Sequence, residues 1–161
     1  MPPEWSEGFG PIDDWQEPDP ELDEERPVTL MGVFQRQTLL EDVEVAHFVI
    51  LEDEDHRSID IFIGRTEALA IHFGLEGELP DRPSTHDLIR NLIERTGHSV
   101  DRVIIDDLWG RIYYARLVLL APDGSELVVD ARPSDAIAVA VRVKCPITAT
   151  ERVLRKASTD S

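Results

Sequence analysis

Two stretches of this chain, fifty residues apart, bring an arginine, a hydroxyl and a carboxylate within a turn of one another. They are Arg82-Pro83-Ser84-Thr85-His86-Asp87-Leu88-Ile89 and Arg132-Pro133-Ser134-Asp135-Ala136-Ile137-Ala138-Val139. Proline fixes its own φ and disfavours helix for the residue before it, so Arg82 and Arg132 read as extended. Serine followed within a turn by a carboxylate is a helix-start signal. Each stretch therefore reads as a chain entering a helix, with its arginine beside unpaired backbone N–H groups. Such a place can hold an anion, orient a catalytic acid or bind a metal. Ser84 or Thr85, and Ser134, are expected as N-caps, with Asp87 and Asp135 in the first helical turns. Ordinary capping explains either stretch alone. The recurrence, with His86 inserted in the first copy, raises the chemical reading.

His86 is the candidate general acid/base, since imidazole titrates near neutral pH and the positive end of a helix favours its neutral form. Asp130 and Asp135 flank Arg132 and join His86 as catalytic candidates. Arg82, Arg132 and Ser134 are the candidates for holding an anionic substrate. If a divalent ion such as Mg²⁺ or Mn²⁺ binds, Asp87, Asp130 and Asp135 are its ligands. Capping is the competing role for Asp87. No strong metal signature supports the ion: the sequence has no His-x-x-x-His pair and no Cys-x-x-Cys. Asp106-Asp107 cannot chelate from a strand, because adjacent side chains point to opposite faces; it reads as a solvated turn. Glu67 is placed to point across toward the arginine turns. Trp109, Tyr113 and Tyr114 could stack bases, but a hairpin cluster supporting the core or a subunit contact is the better reading.

The elements that must carry these groups follow from periodicity. Val28 to Gln35 and Val45 to Leu51 read as strands, and Ser58 to Ile63 alternates with Ile59, Ile61 and Ile63 on one face. Helices are expected over Thr66–Leu75, Thr85–Thr96 and Ser134–Val143, with Gly97 ending the second. The third is apolar nearly all round and so reads as buried. Val100–Leu108, Arg111–Leu120 and Glu126–Asp130 read as strands, Pro146 to Ala149 as a short edge-like piece, and Thr150 as the cap of a last helix. Strands and helices mix without regular βαβ alternation. The class is α+β: a mixed, largely antiparallel sheet packed with three to four short helices.

Composition bounds the function. The 161 residues suit one domain, and their formal charge of −17 argues against a broad electrostatic nucleic-acid footprint. Any phosphate contact must rest on local arginines. Residues 1–26 hold ten acids and one arginine among prolines and glycines, and read as a disordered acidic tail. Trp5, Phe9, Ile12 and Trp15 within it suit docking on an unidentified partner or on the body of the protein. The folded domain is expected over 27–157, with 158–161 frayed. No apolar run has the length of a membrane span and no signal peptide is visible. The single Cys145, beside Pro146, reads as a buried inert thiol. These features point to the cytoplasm and away from membranes.

From Val45 to Leu154 the chain resembles the bifunctional nuclease domain family. The matching residues are Ile63-Gly64 with Glu67-Ala68 and Ala70-Ile71, Arg82-Pro83 with Thr85-His86-Asp87-Leu88, Tyr113-Tyr114-Ala115, Asp130-Ala131-Arg132-Pro133-Ser134-Asp135-Ala136-Ile137-Ala138, and Pro146-Ile147. The resemblance implies a compact α+β domain, self-association with a dimer favoured, and cleavage of DNA and RNA. It does not by itself assign an active site. Two readings stay open: a nuclease acting on flexible nucleic acid, and a non-catalytic oligomeric module whose Arg-Pro-Ser turns bind an anion or only hold the fold.

Overall fold

A computed structural model describes residues 19–39 and 43–159. Its elements run β1 (Glu25–Leu39), β2 (Val43–Asp53), β3 (Ser58–Ile63), α1 (Arg65–Glu76), α2 (Thr85–Arg95), β4 (Ser99–Trp109), β5 (Ile112–Leu120), β6 (Glu126–Ala131), α3 (Pro133–Val143), β7 (Ile147–Thr150) and α4 (Glu151–Thr159). The strands form one mixed sheet in the order β3-β2-β1-β7-β4-β5-β6. Every pairing is antiparallel except β4 with β7. The class is the α+β expected.

Alternation decides which face of the sheet is covered. In β3, Ile59 and Ile61 are buried while Ser58, Asp60 and Phe62 are exposed. Val49 and Leu51 of β2, Val103 and Ile105 of β4, and Ala115, Leu117 and Leu119 of β5 complete the inner face. Helix α3 supplies the opposite wall. Ala136 to Ala140 are all buried, as its nearly continuous apolar sequence requires. Gly74 of α1 lets α3 come close: a Cβ there would stand 2.5 Å from Cγ2 of Val141 and 2.7 Å from Nη1 of Arg142.

Two expectations are corrected. The Pro146–Ala149 piece is not at an edge. Strand β7 is central, joining the antiparallel halves β3-β2-β1 and β4-β5-β6. Its shortness suggests an edge, but Pro146 lies before the strand rather than in it, so β7 pairs with Glu25 to Val28 on one side and Val103 to Ile105 on the other. Asp106-Asp107 is strand, not turn. A register shift between Ile105 and Asp107 bends β4 there. Asp106 meets Arg116 at 2.6 Å, and Asp107 meets Lys156 at 3.0 Å.

Most of the acidic stretch read over residues 1–26, with Trp5, Phe9, Ile12 and Trp15, falls outside the described residues. Its final part is described. The carbonyls of Leu22 and Glu24 accept the backbone N–H groups of Arg152 and Glu151, which would otherwise be orphaned at the start of α4. Among the described residues, no helix is long and apolar enough to cross a membrane.

Candidate active site

The two Arg-Pro-Ser stretches become the starts of α2 and α3, and those starts meet. Ser84 is the N-cap of α2, placing Thr85, His86 and Asp87 in its first turn. Asp87 reaches back to accept the Ser84 backbone N–H at 2.9 Å and the Ser84 hydroxyl at 2.8 Å. The second stretch is shifted by two residues. Arg132, not Ser134, is the N-cap of α3, with Pro133 at the first helical position. Proline is preorganised for that position because its missing N–H would be unpaired there anyway. Ser134 therefore lies inside the first turn and is buried. Asp135 follows it, still in the first turn, as expected.

His86 and Asp135, 49 residues apart, are in contact: Nε2 to Oδ1 is 2.9 Å. Arg132 grips the same carboxylate, donating from Nε to Oδ2 at 2.8 Å and from Nη2 to Oδ1 at 3.2 Å. Its Nη1 stands 3.6 Å from Oε1 of Glu67 on α1, so Glu67 does point across to this region. Burial alone would raise the Asp135 carboxyl. The Arg132 and His86 hydrogen bonds outweigh it and hold the group below the ordinary carboxylate range. Asp135 is therefore an anion that can only accept hydrogen bonds.

Asp87 is the second fixed anion. Burial again pushes it up, but the Ser84 N–H, the Arg142 guanidinium and the Ser84 hydroxyl hold it at about 2. Arg142 donates Nε to Asp87 Oδ1 at 2.8 Å, and Nη1 to the carbonyls of Ala70 at 2.9 Å and Ala138 at 2.8 Å. One side chain thus joins α1, α2 and α3. Sequence reasoning missed Arg142. The available signal was a single arginine on a helix otherwise apolar nearly all round, since a charge there needs a buried partner.

These groups line one cleft of about 600 Å³. Its polar end holds His86, Asp87, Asp135, Arg132, Arg142 and Glu67. Its other wall is apolar, with Leu69, Phe73, Leu79 and Pro80. Arg82 is exposed in the loop before α2 and does not line the cleft. Asp130 is exposed on β6 opposite Arg116, and it too stands apart. Ser134 faces a second cleft of about 400 Å³, which shares Glu67 and Arg132 with the first. Tyr113 lines that second cleft, whereas the Trp109 ring lies 5.3 Å from Lys156 Nζ.

Asp87, Asp130 and Asp135 do not gather in one place. Asp87 and Asp135 are satisfied by protein donors, and Asp130 stands apart. Among the described residues, no three His, Cys, Asp or Glu side chains gather as metal ligands. Cys145 is inert: burial pushes its thiol up to about 11.

Residues 49–161 match the bifunctional nuclease domain. The chain belongs to the bifunctional nuclease domain family. An uncharacterised protein of Mycobacterium tuberculosis H37Rv is 43% identical over 109 residues, spanning 68% of this chain and 64% of that protein. Bifunctional nuclease 1 of Oryza sativa subsp. indica is 30% identical over 118 residues, covering 71% of this chain and 36% of the rice protein. Bifunctional nuclease 1 of Arabidopsis thaliana is 37% identical over 68 residues, 41% of this chain and 21% of its own length. The chain therefore matches under two thirds of the length of each of these relatives. All the bifunctional nuclease domain side chains at the polar end of the cleft lie within the matched residues.

Proposed function

We propose that this protein is a nuclease hydrolysing phosphodiester bonds in DNA and RNA. His86 is the acid/base group, Asp135 orients it, and Arg132 holds the phosphate. The observation that carries this reading is the 2.9 Å contact of His86 with Asp135 at the polar end of the cleft. Asp135 can only accept, so the shared hydrogen belongs to Nε2, leaving Nδ1 of a neutral imidazole as proton acceptor. Nδ1 takes a proton from water as the water oxygen attacks phosphorus. The bond from phosphorus to the leaving oxygen breaks on the side opposite the attacking water, that oxygen takes its proton from solvent, and the imidazolium then returns its own proton to solvent. Asp135 stabilises the imidazolium between the two transfers. The Arg132 side chain, 67% exposed, keeps N–H groups available to phosphate oxygens. Asp130, Arg82 and Ser134 take no part in either proton transfer.

A second reading is a non-catalytic module that binds an anion or uses these turns only to hold the fold. The cleft lining favours it in one respect: four carboxylates, Glu67, Glu78, Asp87 and Asp135, line it against two guanidinium groups, Arg132 and Arg142. The experiment is cleavage of single-stranded DNA and RNA by wild type, His86→Ala and Asp135→Asn, with Mg²⁺, Mn²⁺ or chelator, alongside thermal melts. Each substitution is expected to slow cleavage by about 10²-fold or more while the protein stays folded. Undiminished cleavage by both folded variants would move the chemistry elsewhere. Absence of cleavage by pure wild type in every condition would leave the second reading.

A further inference from the structure

The outer face of the sheet carries a feature that the cleft does not explain. Phe34 of β1, Phe48 of β2 and Phe62 of β3 are directly opposite one another in the strand register. Each adjoins a residue packed on the inner face, namely Val33, Val49, and Ile61 with Ile63. By the pleat, all three phenylalanines therefore project from the opposite face. Phe34 and Phe48 stack with centroids 5.7 Å apart, and Phe48 and Phe62 lie 5.4 Å apart. Arg36 stands over the Phe48 ring at 5.6 Å. Gly32, at φ +146, makes the backbone irregularity beside this row, and the Phe34 ring lies against it.

Cross-strand packing accounts for Phe48, which is only 8% exposed. It does not account for Phe62, which ends the row on edge strand β3 and is 58% exposed. Phe62 also lines the second cleft, with Arg111, Arg132 and Ser134. That cleft shares Arg132 and Glu67 with the His86 cleft, so the two clefts adjoin at this pair, and Phe62 stands on the far one. Arg111 is exposed and makes no ion pair among the described residues. Protein–protein interface cores are depleted of charge, whereas Arg36 and Asp60 are threaded through this patch.

We propose that the exposed rings of this row, Phe62 and Phe34, held in place by the buried Phe48 between them, are a base-stacking platform for single-stranded nucleic acid, entered from the His86 cleft past Arg132 and Arg111. Aromatic rings on a sheet surface with nearby arginines bind bases of any sequence, because every base has a π-face. Duplex bases are already stacked and paired, so the platform discriminates against duplex. With Arg36, Arg111 and Arg132 as the only phosphate contacts, binding is weakly salt-dependent, with a log–log slope of about −2. This inference rests on the nuclease reading for its direction along the surface, but stacking and cleavage are separately measurable. Phe34 and Phe48 precede the residues that match the family, so the complete row is not contained in that match.

The test is fluorescence anisotropy with labelled oligo(dT) and oligo(rU) 12-mers, a charge-matched abasic 12-mer and a duplex, using the full chain. Phe62 is exposed, so Phe62→Ala should fold. It is expected to weaken both single strands by about 5- to 100-fold. Phe62→Trp should retain binding, with its indole fluorescence quenched on addition of the oligomer. The abasic strand should bind weakly to wild type and be insensitive to Phe62→Ala. Equal single-strand affinity for wild type and Phe62→Ala, or no oligonucleotide binding by wild type, overturns the platform. So does a fall in sedimentation mass on Phe62→Ala with unchanged oligonucleotide affinity, which would make the rings a subunit contact. Phe62-dependent binding without cleavage supports the platform while removing the nuclease reading.

Discussion

Replacing Arg142 with methionine tests how the cleft is held together. The Arg142 side chain is 6% exposed and that of Asp87 13%. Removing one partner of a buried ion pair costs about 3–5 kcal/mol, since the other charge remains buried without compensation. The carbonyls of Ala70 and Ala138 lose their Nη1 donor as well. Methionine fills much of the space but returns none of these bonds. At roughly 2–4 °C per kcal/mol for a chain of this size, the melting temperature should fall by about 10–15 °C.

The loss must also depend on pH in one direction. In wild type Asp87 is held at about 2, below its ordinary value of 3.8. A depressed carboxylate stabilises the fold fully above its unfolded pKa and loses that contribution as pH falls toward its folded pKa. After allowance for solvent screening, this contribution is on the order of 1–2 kcal/mol. Without Arg142, protonating Asp87 relieves an uncompensated charge. The variant's deficit should therefore be largest at pH 7 and shrink between about pH 4 and pH 2. Urea denaturation of both proteins at pH 7, 5 and 3 measures it. A deficit under about 1 kcal/mol at pH 7, or one that does not shrink at pH 3, would refute the reasoning.

Gly74→Ala would put a Cβ 2.5 Å from Val141 and 2.7 Å from Arg142; a loss of about 1–3 kcal/mol in urea denaturation is expected from overpacking, and an unchanged midpoint would mean that α1 and α3 part freely. Strand β6 leaves Leu127, Val128 and Val129 exposed on an edge of the sheet. Pairing of this edge with a second copy predicts a dimer at micromolar concentration that Val128→Lys converts to monomer in sedimentation; monomeric wild type would refute it.

What the sequence made legible was local. The Ile59, Ile61 and Ile63 alternation gave the covered face of β3, and the apolar run of α3 gave its burial. The helix-start chemistry placed His86, Asp87 and Asp135 in first turns. What escaped depended on contacts distant in sequence or on the two-residue offset between the helix starts. The central place of β7 is set by Glu25 to Val28 and Val103 to Ile105 on its flanks. Asp130 looks equivalent to Asp135 in sequence, both flanking Arg132, yet the turn from β6 into α3 separates them. Two of the three partners of Arg142, Asp87 and Ala70, lie 55 and 72 residues away, and no spacing rule links them.

The two-residue offset between the two helix starts is what makes them complementary rather than merely repeated. With Ser84 as N-cap, the first turn of α2 carries His86 and uses Asp87 to satisfy its own cap. With Pro133 already inside α3, Arg132 becomes the N-cap and Ser134 is buried. Asp135 then has no serine to cap as Asp87 does, so its carboxylate reaches outward to Arg132 and His86. Both carboxylates stand three residues past their N-cap: Asp87 meets the N–H and hydroxyl of Ser84 there, whereas Asp135 meets the guanidinium of Arg132 and stays open to His86. A positive helix end and Arg132 both favour the Asp135 anion. It therefore remains an acceptor at neutral pH, the condition an imidazole needs to pass between neutral and protonated forms without losing its orientation.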